Sequence, residues 1–235
     1  MKRRLLTGCI FALASLVFVS VVQAAPTAGM ADKVMTLKKA LQQNQAALKQ
    51  YQWIETVTVS KDGKQKSQKQ YQCYYGVDGT LQKTEMNSTQ DQGRTPRGPL
   101  RRAIMEDKKE EMADYMKEVM TLVKKYVPPQ SDLIQAAKEA NNISFKPNAD
   151  GIQLMIQNYL QKGDLLTIGL NTAKPEVNAL SVNTYTDNNP KEAVTMQVTF
   201  DNLPDGTSYS KQTVIDAKSK NVTITTVNSG YRKMN

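Results

Sequence analysis

No histidine occurs among the 235 residues, which removes the side chain that most often serves as general base and metal ligand near neutral pH. Two cysteines, Cys9 and Cys73, are too few to build a zinc site. Neither a Gly-x-Ser-x-Gly elbow nor a phosphate-cradling glycine loop is present. Aspartates and glutamates are scattered over the polar faces of helices rather than paired. The chemistry read from these residues is therefore that of a non-catalytic protein with no catalytic residue, no metal and no cofactor.

What remains is an apolar inventory. Met105, Met112, Met116 and Met120 share one helical stretch with Val119 and Val123, and methionine is the flexible, polarisable side chain suited to surfaces that meet variable apolar partners. The alternating strand Val194, Met196, Val198 and Phe200 offers a matching apolar face. Together these ten residues are the predicted lining of a hydrophobic ligand site; the same stripe also serves as plain core packing, and both readings stand at this point. Ahead of the helix, Arg94, Arg97, Arg101 and Arg102 form a basic run, in which Arg97 and Arg101 are placed to meet an anionic head group. Ser208-Tyr209-Ser210-Lys211 matches a bare Ser-x-x-Lys pattern, but that motif works at the start of a helix and here it lies in a strand.

The positioning elements follow from periodicity. Residues 192–231 read as a meander: one strand to Phe200, a Leu203-Pro204-Asp205-Gly206 turn, a strand over 207–216, a turn at Lys218 to Asn221, and a β-branched strand from Val222. Earlier, Val34, Leu37, Leu41 and Leu48 mark an amphipathic helix over about Met30 to Gln50. Tyr51 to Val59 then switches to period two, with Asp62-Gly63 as a tight reversal. Strands follow at about 66–75 and 81–86. Asn87 to Pro99, with its glycines and prolines, reads as a mobile loop. Leu100 to Tyr126 is helical and ends at Pro128-Pro129, and Ser131 caps a second helix to about Ala140. Strands at 143–146, 152–157, 165–170 and 177–186 complete about nine to eleven in all. Glu55 is the odd residue on the face of Tyr51, Trp53, Val57 and Val59; burying a lone carboxylate costs several kcal/mol, so it is expected to reach water or a lysine.

Lys2-Arg3-Arg4, an apolar run from Leu5 to Val22 and the small residues before Ala25 read as a secretory signal over 1–24, cleaved after Ala24. Leu6-Thr7-Gly8-Cys9 follows the arginines too closely to be a lipidation site. Residues 25–235 form one domain, in which Cys73 stands alone and is expected to be buried. The formal charge of +9 includes three positives in the signal, which leaves +6. In an exported protein this mild basicity points to anionic lipid head groups or an acidic protein surface, not nucleic acid.

The order of signal, amphipathic helix, three strands, a two-helix insertion and a long run of antiparallel strands resembles the periplasmic lipoprotein carrier LolA, with LolB, LppX and the N-terminal domain of RseB. The phrases Tyr51-Gln52-Trp53, Gly76-Val77-Asp78-Gly79 and Asn228-Ser229-Gly230-Tyr231 are similar to those of exported bacterial proteins. The resemblance implies an α+β fold: a strongly curved antiparallel sheet, an incomplete barrel covered by the N-terminal helix and a two-helix lid, whose apolar interior holds acyl chains or a hydrophobic peptide. It further implies a periplasmic carrier for a lipid or lipidated ligand, with transient contact to a membrane or membrane protein. The alternative is an envelope sensor module that contacts a membrane-protein partner.

Overall fold

The computed structural model describes residues 43–90, 99–149, 151–171, 173, 176–186 and 189–234, and the side chains of these except 90 and 99–109. The predicted signal segment, most of the first predicted helix and Arg97 lie outside them. Helix α1 is described over 43–48. Then come β1 (Tyr51–Lys61), β2 (Lys64–Tyr75), β3 (Leu81–Gln90), α2 (Pro99–Val123), α3 (Ser131–Glu139), β4 (Ile143–Asn148), β5 (Gly151–Gln157), β6 (Leu165–Asn171), β7 (Glu176–Tyr185), β8 (Ala193–Asn202), β9 (Ser208–Ala217) and β10 (Val222–Lys233).

All ten strands form one antiparallel sheet in the order β3-β2-β1-β10-β9-β8-β7-β6-β5-β4. Every neighbour is a hairpin neighbour except β1 and β10, the single joint between distant parts of the chain. The sheet does not close among the described residues; β3 and β4 are its edges. Five ladders carry a register shift, and such bulges bend a strand and raise its twist. On the β10 side of one of them Gly230 sits at φ +63°, a conformation glycine adopts without a Cβ penalty. The Asp62-Gly63 reversal has both residues at positive φ and joins Lys61 to its partner Lys64, the two-residue turn whose twist matches the strands it links.

Two expectations are corrected. β3 does not stop at Met86: Asn87, Ser88, Thr89 and Gln90 pair with Gln70, Lys69, Gln68 and Ser67. A ladder runs through backbone groups, so polar side chains exposed on both faces do not end it. Ser131 is not the cap of α3; Gln130 occupies that position with no side-chain bond to the helix, and Ser131 is its first residue.

Register places the core on one face. Ile143, Ile156, Leu166, Val182, Met196, Ile215, Ile224 and Val59 are successive cross-strand partners, an apolar row that crosses eight strands. A parallel row runs Leu154, Ile168, Leu180, Val198. Helices α2 and α3 pack on these rows through Val119, Val123 and Ala137.

Candidate functional site

The seam between α2 and the sheet gathers most of the predicted lining. Val119 and Val123 are buried, as are Val194, Met196 and Val198 on β8, and Phe200 packs against them half-buried. Met112, Met116 and Met120 join the same cluster, each half-buried. Met105 and Arg101 fall within α2, but their side chains, like Arg97, lie outside what the structure describes.

Burial along α2 is graded. On its apolar stripe Met112 and Met116 are half-buried, whereas Val119, Val123 and, just beyond the helix, Tyr126 are 0, 4 and 0% exposed. The well-buried end is also bolted down by polar chemistry. The Tyr126 hydroxyl donates to Asp164 Oδ2 at 2.6 Å. With that proton committed, the Thr184 hydroxyl 2.8 Å away must be the donor to Tyr126. Gln161 Nε2 in turn donates to Thr184 Oγ1 and to the Tyr185 carbonyl at 2.8 and 2.7 Å. Asp164 is buried and also accepts the backbone N–H groups of Tyr159, Leu160 and Gln161 at 2.6, 2.9 and 2.9 Å. Four donors thus replace the water that a buried carboxylate loses. Burial, reinforced by the adjacent Asp164 carboxylate, pushes the Tyr126 phenol well above its ordinary range, so it stays a donor. Tyr159 lies against Tyr126 at 5.5 Å between ring centres and accepts the Gln130 N–H at 2.7 Å, which ties the start of α3 to the same β5–β6 turn.

A second cluster occupies the opposite end of the sheet. Tyr231 stacks on Trp53 with centroids 5.6 Å apart, and Tyr209, Tyr75 and Tyr51 complete the group. Asn44 of α1 reaches this end, donating to the Ser208 carbonyl at 2.8 Å and accepting its N–H at 2.5 Å. Cys73 lies buried opposite Trp53, and burial raises its thiol to about 11; a thiol in that state is protonated at neutral pH and inert as a nucleophile. Glu55 meets Lys83, whose Nζ donates to both carboxylate oxygens at 2.6 and 2.8 Å, one of the two fates expected for it.

Sequence reasoning missed the Tyr126–Asp164–Thr184 network and the Trp53–Tyr231 stack. The only signals were Tyr126 at the end of the α2 stripe and the Gly163-Asp164 turn. Among the described residues no group of three or more acidic or cysteine side chains is placed to hold a metal ion, and no helix is long and apolar enough to cross a membrane. Two surface hollows of about 540 and 490 Å³ are lined mainly by polar side chains, Asp62, Asp216 and Thr223 in one, Lys117, Gln161 and Thr186 in the other; neither includes the predicted apolar lining.

No family model matches the chain, and no curated protein does. Among solved structures, the complex of Pseudomonas aeruginosa MucA and MucB is similar to it with a TM-score of 0.24 at 8% identity, over 85% of this chain and 99% of that one.

Proposed function

We propose that this protein is a non-catalytic, periplasmic binding protein that takes an apolar chain, the acyl group of a lipid or lipidated ligand, between α2 and the sheet. The observation that carries the reading is the graded burial of the apolar stripe of α2: the helix is fastened at Val119 and Val123, with Tyr126 just beyond its end, and Met112 and Met116 lie on the less buried side of these. A helix held at one end yields at the other, and methionine repacks around an incoming chain at low cost. Each methylene buried contributes about 0.8 kcal/mol, so affinity rises with chain length and needs no convergent polar group. Arg97 and Arg101 meet the head group.

The test is equilibrium binding of a fluorescent fatty-acid probe to the purified protein, with native mass spectrometry of material drawn from its own periplasm to identify acyl masses. Met112→Asp with Met116→Asp should abolish binding by putting charge on the lining. Arg97→Gln with Arg101→Gln should weaken it modestly, and mainly at low salt. A parent protein that binds no probe and carries no acyl mass ends the carrier reading in favour of an interaction module contacting an envelope partner.

A further inference from the structure

The two edges of the sheet are built differently. β4 spans Ile143–Asn148 and contains Pro147; proline removes a ladder donor, a usual protection of an edge against a second strand. β3 spans Leu81–Gln90, has no proline, and is exposed from Leu81 to Thr89. Its one irregularity is the bulge at Met86, between the pairs Tyr71 with Glu85 and Gln70 with Asn87. Of the seven large apolar side chains exposed among the described residues, Tyr74, Val77, Leu81 and Met86 lie on β2, β3 or the turn between them. Among the described residues, a backbone edge that no strand covers and most of the exposed apolar groups therefore coincide.

The charges of β3 select the partner. Its only two, Lys83 and Glu85, flank Thr84. When β3 meets a second β3 antiparallel about a twofold axis through Thr84, Lys83 of each copy falls opposite Glu85 of the other. Both are on the same face of the sheet, since Lys83 pairs with Cys73 and Glu85 with Tyr71, and directly opposed residues of an antiparallel pair share a face. Within each copy Lys83 already meets Glu55, and Lys69 Nζ meets Glu85 at 3.0 Å. Lys83, Glu85 and Lys69 remain partly exposed. Pairing would thus extend two short ion pairs into an alternating line of Glu55, Lys83, the second copy's Glu85 and its Lys69, on both sides of the axis.

We propose that β3 is a self-association edge, on which a second copy of this chain docks antiparallel through Thr84 and joins the two sheets into one. The inference is independent of the apolar seam, which lies under α2. A contact made by one short strand is weak and salt-sensitive.

Sedimentation equilibrium of the full exported chain over a wide concentration range tests it. The wild type is expected to pass from monomer to dimer, with amides 82–86 gaining concentration-dependent protection from hydrogen exchange. Lys83→Glu alone sets glutamate against Glu85, and Glu85→Lys alone sets lysine against Lys83; each should raise the dimer dissociation constant about tenfold or more. Mixed in equal amounts, the two variants are complementary in both contacts and should form a heterodimer, which also certifies that each one folds. A wild type that stays monomeric throughout overturns the proposal. So does a dimer indifferent to both reversals, or a pair of reversed variants that does not recombine on mixing.

Discussion

The sheet is two structures in one ladder. From β5 to β10 one face is dry: apolar rows cross it strand by strand, and α2 and α3 pack on them. In the β1–β3 wing the same ladder is held largely by polar cross-strand contacts. Gln68 donates to Thr58, Gln70 to Thr56 and Gln72 to Gln52 on one face, while Lys69–Glu85 and Lys83–Glu55 span the other. Such pairs are individually weak, whereas a buried aliphatic side chain contributes about 1.5–3 kcal/mol. The covered half therefore carries the stability, and the wing presents an edge at small cost to the fold.

The comparison is broken most severely at the bolt of the covered half. Asp164→Ala leaves three backbone N–H groups and the Tyr126 hydroxyl without their acceptor, and should destabilise the protein by about 3 kcal/mol or more in denaturant titration. Tyr126→Phe removes only the hydroxyl and should cost about 1–2 kcal/mol. If the carrier reading holds, it should also alter acyl-probe affinity, because it loosens the fastened end of α2.

Within the apolar rows, Ile156→Val should cost about 1 kcal/mol, since one methylene is lost from a fully buried site. Leu81→Ala, on the free edge of the wing, should stay within about 0.5 kcal/mol. Equal effects at the two positions would erase the distinction between the halves.

A smaller effect is read in acid. Asp205 accepts the Tyr51 hydroxyl at 2.5 Å and the Thr207 N–H at 3.0 Å, and these bonds, Tyr51 first, lower its carboxyl to about 2. A depressed carboxyl stabilises the fold above its ordinary value near 3.8 and loses that contribution as pH falls through about 2. Asp205→Asn should therefore lower the melting temperature at neutral pH, where the ionised carboxyl contributes in full, and flatten its decline between those two values. The smallest effect is expected at Lys211→Ala, which breaks the exposed pair with Asp201 and should leave the melting temperature unmoved.

Local chemistry makes much of this molecule legible without coordinates. Period-two alternation marks β1, β5 and β8, turn spacing and β-branched residues place the other strands, Asp62-Gly63 and Pro204-Asp205-Gly206 set their reversals, and the Met112–Val123 stripe already says that α2 needs an apolar partner. Polar strand ends were the failure, because Asn87 to Gln90 carry loop-forming residues on a backbone that still finds its ladder. The predicted face of β8 and the predicted stripe of α2 belong to one apolar cluster, since a stripe and an alternating face each advertise one dry side.

Three features belong to the tertiary structure alone. The pairing of β1 with β10 joins segments more than a hundred residues apart, and no turn residue encodes a contact that no turn makes. The burial of Asp164, a residue whose setting after Gly163 reads as an ordinary exposed turn, depends on Tyr126 arriving from beyond α2 to donate to it, with Thr184 of β7 bonded to Tyr126 in turn. The unequal edges exist only once the order of strands is known, because Pro147 protects an edge and Lys83 and Glu85 complement a second copy only if β4 and β3 end the sheet. Periodicity records which side of a strand is dry; it carries no address for the strand that lies beside it.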